Sequence, residues 1–363
     1  MNSRLLETLL AEARSSTHRD DWARAMCRAA STYARQGHTE EALSAISGVR
    51  AAYGKDLSAP GGVWLMLSEG ILHFFQGRWK DSFDRTRRAH AIAFAMNVEE
   101  AKPTCAAWMA HIDFNELRFE SMVKHLRDAL TLARPDDHQA LARASLNVAD
   151  VLNYCGDFQL ARPWYEKTRL HATAEGDQAT LSALMHNMAA LLTDNIRMAD
   201  AFGEKYSVDT KFALMQANSA WNYDTAIGTT SLQTLIPLQK GHLLIVQGDF
   251  AGANQMLDSI DRTALAARSL PLLLVDTAWS LAAQGKFDEA ASLAENALEL
   301  VNASTDLDEV AFIHARLAQI AEQGGDHVRA QSLMTSARTA FAKFNSDRSQ
   351  LKVLIEPIAQ MIA

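Results

Sequence analysis

The chain has 363 residues, 48% of them hydrophobic, with 7 Pro and 17 Gly, a composition that excludes fibrous and disordered classes and suffices for a continuous core. Its net charge of −8 is uneven, since residues 1–171 carry 22 Lys+Arg against 21 Asp+Glu and residues 172–363 carry 13 against 22. The acidic second half repels polyanions, so direct nucleic-acid binding is not expected.

A signature of the form Gln-Gly-x-aromatic-x-x-small organises the chain. It occurs at Gln36–Ala42, Gln76–Ser82, Cys155–Ala161, Gln247–Ala253, Gln284–Ala290 and Gly324–Ala330, with Thr39 in the first copy and His327 in the last in place of the aromatic ring. Two further copies, at Leu117–Met122 and Ile196–Ala201, keep the apolar and small positions but lack the glycine. Counted from the glycine or its equivalent, the intervals are 40, 40, 39, 40, 52, 37 and 40 residues. A fixed period of this size marks a stack of helical units.

In chain order, residues 2–17 predict an N-terminal covering helix. Eight helix pairs then follow from the three- and four-residue spacing of apolar positions. They are 20–36 with 38–53, 60–76 with 78–97, 99–116 with 118–134, 136–155 with 157–174, 177–194 with 196–226, 230–247 with 249–266, 269–284 with 286–302, and 305–323 with 325–344. Ser58-Ala59-Pro60-Gly61-Gly62 reads as a turn between units. Each signature glycine ends a first helix in the left-handed conformation. The aromatic, such as Phe287, is expected to plug the pair, and the small residue, such as Ala290, to let the helices approach. The stretched interval, which includes Lys205 and Tyr206, predicts an extended second helix over 196–226, about 18 Å longer than its neighbours. A C-terminal cap follows over 347–362, kinked or ended by Pro357. The whole is expected to be one all-α domain, with caps over 1–19 and 345–363.

Together with these signatures, a small residue seven positions before the glycine (Ala30, Gly70, Ala149, Gly241, Ala278, Ala318) and an Ala twelve after it (Ala89, Ala129, Ala297, Ala337) resemble the tetratricopeptide repeat. The resemblance covers about residues 20 to 344. The longer period is similar to Rap-type regulators, sensor regions of bacterial transcription activators and kinesin light chains. It implies a right-handed superhelix whose first helices line a concave groove.

Placed by distance from the glycine, the groove positions implied by the resemblance include Trp64 and Phe74, then His111 and Asn115, then Arg143, Asp150, Asn153 and Tyr154, then His186 and Asp194. Aromatic surface beside a few polar groups suits an extended peptide. Asp150, Asn153 and Tyr154, polar and one turn apart on a first helix, are expected to be open to a ligand.

The expected function is a non-enzymatic adaptor or regulator binding a protein or peptide. The alternative is a small-ligand or signal-peptide sensor, with the long 196–226 helix as its hinge. No cofactor or metal is expected, because GxSxG, HExxH and a phosphate-cradling loop are all missing. Cys27, Cys105 and Cys155 are too far apart for a CxxC unit and read as core filler. No apolar run reaches the roughly 18 to 20 residues of a membrane span, and Met1 to Arg14 lacks a signal core, so cytoplasmic residence is expected. A homo-oligomer is compatible with all of this.

Overall fold

The computed structural model describes residues 3–54, 60–204, 209–263, 265–302 and 305–362. Among them are seventeen α-helices and no strand. In chain order they are α1 (Arg4–Ser15), α2 (Arg19–Gln36), α3 (Thr39–Tyr53), α4 (Pro60–Phe75), α5 (Trp79–Ala95), α6 (Lys102–Asn115), α7 (Phe119–Leu132), α8 (His138–Tyr154) and α9 (Phe158–Glu175). There follow α10 (Gln178–Ala201), α11 (Thr210–Ile227), α12 (Leu235–Val246), α13 (Phe250–Asp258), α14 (Leu270–Ala283), α15 (Phe287–Leu300), α16 (Leu307–Gln323) and α17 (His327–Ala359).

The turns form as the signature dictates. Gly37 has φ +86°, and the N–H of the residue after it, His38, donates to Tyr33 O at 2.9 Å. The same left-handed residue with a bond spanning five positions recurs at Gly77, Gly156, Gly248, Gly285 and Gly325. It satisfies carbonyls that the helix end leaves without partners. The turn at Leu117 keeps this geometry without a glycine: φ is +56°, and Arg118 N–H donates to Asp113 O at 2.8 Å.

Ile196 does not turn. It lies inside α10, and the left-handed residue is Gly203, with φ +70° and Glu204 N–H donating to Ala199 O at 2.7 Å. Ile196-Arg197-Met198-Ala199 offers no residue that tolerates positive φ, so the helix runs on to the next glycine. The expected long helix over 196–226 is therefore replaced by a long first helix, α10, and a separate α11. Lys205 and Tyr206 lie outside the described residues. The successive intervals of 40 and 52 residues become 47 (Gly156 to Gly203) and 45 (Gly203 to Gly248).

Four other expectations shift. Pro60, Gly61 and Gly62 open α4 rather than forming a turn; a Cβ on Gly61 would lie 1.8 Å from the Tyr53 hydroxyl oxygen, so only glycine lets α4 start under that ring. Ser58 and Ala59 lie outside the described residues. Residues 230 and 231 bond to the end of α2 and so are not free to open α12, which starts at Leu235. Helix α13 stops at Asp258 rather than 266, and just beyond it the Asp261 carboxylate accepts from the Thr263 backbone and hydroxyl, an Asx turn. Helix α17 passes unbroken through 345–347, because no residue there adopts positive φ, and Pro357 falls in its last turn where one lost donor matters little.

The chain divides into two compact units. Unit 1 is Met1–Leu184 with Tyr223–Ser231 and Leu351–Ala363; unit 2 is Met185–Asn222 with Leu232–Gln350. In unit 1, α2 packs on α3, α4 on α5, α6 on α7 and α8 on α9, while α1 covers α2. Its core is built around Trp64, Leu67, Ile71, Ala89, Cys105 and Trp108. The end of α17 lies on α9, where Trp164 Nε1 donates to Ala359 O at 3.3 Å and Lys352 pairs with Asp157 at 2.9 Å. In unit 2, α12 packs on α13 and α14 on α15, around Leu238, Leu257, Leu274, Val275, Phe312 and Ile313.

The small positions are as tight as expected: Ala42, Ala161, Ala253 and Ala290 have no exposed surface. The expected plug is not made at Phe158 or Phe287, whereas Phe250 packs partly buried against the core of unit 2. Phe158 and Phe287 are 45% and 40% exposed, because each is the first residue of a second helix and sits over the end of the hairpin.

Two substitutions probe this geometry. Gly37→Ala would place a Cβ 2.3 Å from Thr230 Oγ1 on a left-handed backbone, and Ala290→Trp would overfill a closed site. Each should lower stability by about 1–3 kcal/mol, read as a lower midpoint in urea.

Candidate functional site

Four of the sequence-chosen residues come together in unit 1 with Trp108, which the sequence did not single out. Trp108 is buried on α6, and the Arg143 guanidinium from α8 stacks on its ring at 4.3 Å. His111, one turn along α6, has its ring centroid 5.6 Å from Trp108 and 4.8 Å from Phe74 of α4. Phe74 also meets Phe75 at 5.4 Å and Trp79 at 5.0 Å. Phe74, Trp79 and His111 are half-buried. Asn115 donates to His111 O at 2.9 Å, which closes the last turn of α6 beside the ring. The result is a strip running from buried Arg143 to half-exposed Phe74. Along the same helix ends, Phe114 and Tyr154 form an edge-on pair at 5.5 Å, both half-buried.

Asp150 and Asn153 are not open. They are 7% and 8% exposed, and one phenol satisfies both: Tyr165 of α9 donates its hydroxyl proton to Asp150 Oδ1 at 3.0 Å and accepts from Asn153 Nδ2 at 3.2 Å. Their expected exposure is thus corrected. Burial, then Asp150, pushes the Tyr165 hydroxyl well above its ordinary range, so it stays a donor. On the other side of Arg143, Arg35 of α2 pairs with Asp177 at 2.6 Å and donates to Thr180 Oγ1 at 2.7 Å. Asp177 in turn accepts from the Thr180 backbone at 3.0 Å and so caps α10. Burial, with Arg35 adding repulsion, draws Arg143 down to about 9, so it remains charged at neutral pH.

Trp64 is elsewhere. It lines a cavity of about 230 Å³ at the opposite ends of the first helices, with Arg24, Arg28, Glu100, His138 and Glu175. The charges there are internally matched, Arg24 to Glu100 at 2.6 Å and Arg28 to Glu175.

His186 and Asp194 belong to unit 2. His186 is buried, and Asp194 pairs with Arg197 at 2.9 Å. Arg197 also lies 3.6 Å from Asp276, which bonds the buried His242 ring at 3.0 Å, and Arg316 pairs with Asp200. Counting from Ile196 instead of Gly203 hid this network. From Gly203, Arg197 and Asp200 fall six and three residues before the turn, as His242 does before Gly248. Among the described residues no group of three His, Cys, Asp or Glu is placed to hold a metal ion, and no helix is long and apolar enough to cross a membrane.

Comparison with known proteins bears on the fold. Residues 271–296, covering most of α14 and α15, match the family model described as tetratricopeptide repeat. A Rap protein complexed with competence and sporulation factor superposes with a TM-score of 0.54 at 11% identity, covering 92% of this chain and 99% of that one. The fold is of the tetratricopeptide-repeat type. The apo form of RapI aligns with a TM-score of 0.46 at 13% identity, over 94% of this chain and 91% of that one. No curated protein matches this tetratricopeptide-type chain in sequence.

Tyr165→Phe would remove one hydrogen bond from a buried carboxylate and one from a buried amide. It should lower stability by about 1–3 kcal/mol in denaturant titrations, whereas Phe158→Ala, at an exposed edge, should change it far less. In unit 2, burial holds the His242 imidazole below its ordinary 6.5, with Arg197 and Arg316 adding to the effect against Asp276. The unfolded chain then binds the extra proton, so this contribution is complete above pH 6.5 and is lost as pH falls below it. Stability should drop between pH 7.5 and 5, and His242→Gln should show a shallower dependence over that range.

Proposed function

We propose that the first-helix face of unit 1 binds an extended peptide or a segment of a partner protein, and that the chain acts without catalysis as a cytoplasmic adaptor or regulator. The carrying observation is the strip of Phe74, His111 and Trp108 with Arg143, continued by Phe114 and Tyr154 on the next helix ends. Half-buried rings on three consecutive first helices supply apolar contact at intervals along an extended chain, and Asn115 and Arg143 supply polar fixation. The Rap protein of similar fold is complexed with competence and sporulation factor, which supports a bound factor as the occupant of such a fold. The acidic second half argues against nucleic acid as the target.

A sensor reading shares the same face. In it, an arriving signal peptide changes how the helix pairs stack and alters an effector on another chain. The Arg35–Asp177 pair, which joins α2 to the start of α10, is the contact such a change would have to strain.

The test is selection of peptides from a random display library against the full chain, followed by fluorescence polarisation. Phe74→Ala and Tyr154→Ala should each weaken binding about tenfold or more, with melting temperatures within a few degrees of the parent. Undiminished binding in both variants would sink the assignment of this face. Small-angle scattering that changes on adding the selected peptide would favour the sensor over the adaptor.

A further inference from the structure

Four arginines are buried among the described residues: Arg35, Arg143, Arg197 and Arg316. Three have a carboxylate. Arg35 holds Asp177, Arg197 holds Asp194, and Arg316 holds Asp200. Arg143 is 5% exposed, and among the described residues no ion pair or hydrogen bond engages its guanidinium. Its neighbours cannot turn to it without giving up what they hold, since Asp177 is committed to Arg35 and Thr180, and Asp150 accepts from Tyr165.

A buried charge without a partner is among the most unfavourable arrangements in a folded chain. It persists here on the face of Trp108, at 4.3 Å. Stacking uses the flat face of the guanidinium and leaves its in-plane N–H donors free. The residue keeps 5% of its surface exposed, and among the described residues none of its three nitrogens counts as both fully covered and without a partner. A planar group with free parallel donors fits a carboxylate edge-on, through two hydrogen bonds. Asp150 and Asp177 are close enough to act on Arg143 electrostatically, so a single negative charge is favoured over a doubly charged phosphate.

We infer that Arg143, stacked on Trp108, is a carboxylate-binding subsite that anchors one acidic group of the bound peptide, either its C-terminus or an Asp or Glu side chain. The inference rests on the peptide-binding reading but is tested apart from it, with small probes that do not span the aromatic strip. Calorimetric titrations of the full chain would use N-acetylglycine for a terminal carboxylate, N-acetylglutamic acid α-amide for a side-chain carboxylate, and N-acetylglycinamide as the uncharged control.

At least one carboxylate should give saturable binding, the uncharged control none, and Arg143→Met should weaken the carboxylate about tenfold or more. The tighter of the two carboxylates identifies the source. Arg143→Met should also melt at or above the parent temperature, because it removes a buried charge that holds no hydrogen bond and keeps the length of the side chain. The inference is overturned if neither carboxylate binds, if the uncharged amide binds as well, or if Arg143→Met melts several degrees lower, which would make Arg143 a structural residue. Retained N-acetylglycine binding in Phe74→Ala, with peptide binding unaffected by that same variant, would leave this subsite standing while the aromatic assignment falls.

Discussion

The architecture depends on one backbone event, the left-handed residue that ends each first helix. It reverses the chain within three residues and satisfies a helix-end carbonyl through the bond from the following N–H. With that bond in place, the residue five positions beyond the turn falls against the first helix, and at Ala42, Ser82, Ala161, Ala253 and Ala290 it is a small side chain with no exposed surface. The remaining core then assembles by stacking one closed pair on the next. Leu117 shows that the geometry is enforced by the packing as well as by glycine, since a leucine is held at φ +56° where the period requires a turn.

Much of this was legible in the sequence, because glycine and small residues at fixed offsets are chemical statements about backbone freedom and close approach. Where a glycine was missing, the period alone had to decide. At Leu117 it decided correctly; at Ile196 it did not, and Gly203 seven residues later ended the helix. That displacement moved Arg197 and Asp200 out of the expected register and concealed the charged network of unit 2. A helix end placed by rhythm is weaker information than one placed by a residue that tolerates positive φ.

The candidate site was partly legible for a different reason. Distance from the turn gives the face on which a side chain points, and this located Phe74, His111, Asn115, Arg143 and Tyr154. It does not say what stands opposite. Asp150 and Asn153 point inward as the register requires, yet Tyr165, on the second helix of the same pair, meets both and removes them from solvent. Trp108, the platform of the site, lay nine residues before its turn, between two of the positions used to read the groove. An aromatic ring in an Ala-rich helix was the available signal.

The bonds from Thr230 and Ser231 to the carbonyls of Gln36 and Arg35 join residues nearly two hundred positions apart, as does that from Trp164 to Ala359. The helix-on-helix packing of unit 1 is otherwise between elements near one another in sequence, which forms quickly during chain growth, with ion pairs such as Arg28–Glu175 and Arg35–Asp177 reaching further. The first closure has to wait for residues 230 and 231 to be made, and the second for the end of α17. Unit 1 thus begins to fold first and finishes last, and its early helix pairs stand assembled but unfastened while the chain between them is made.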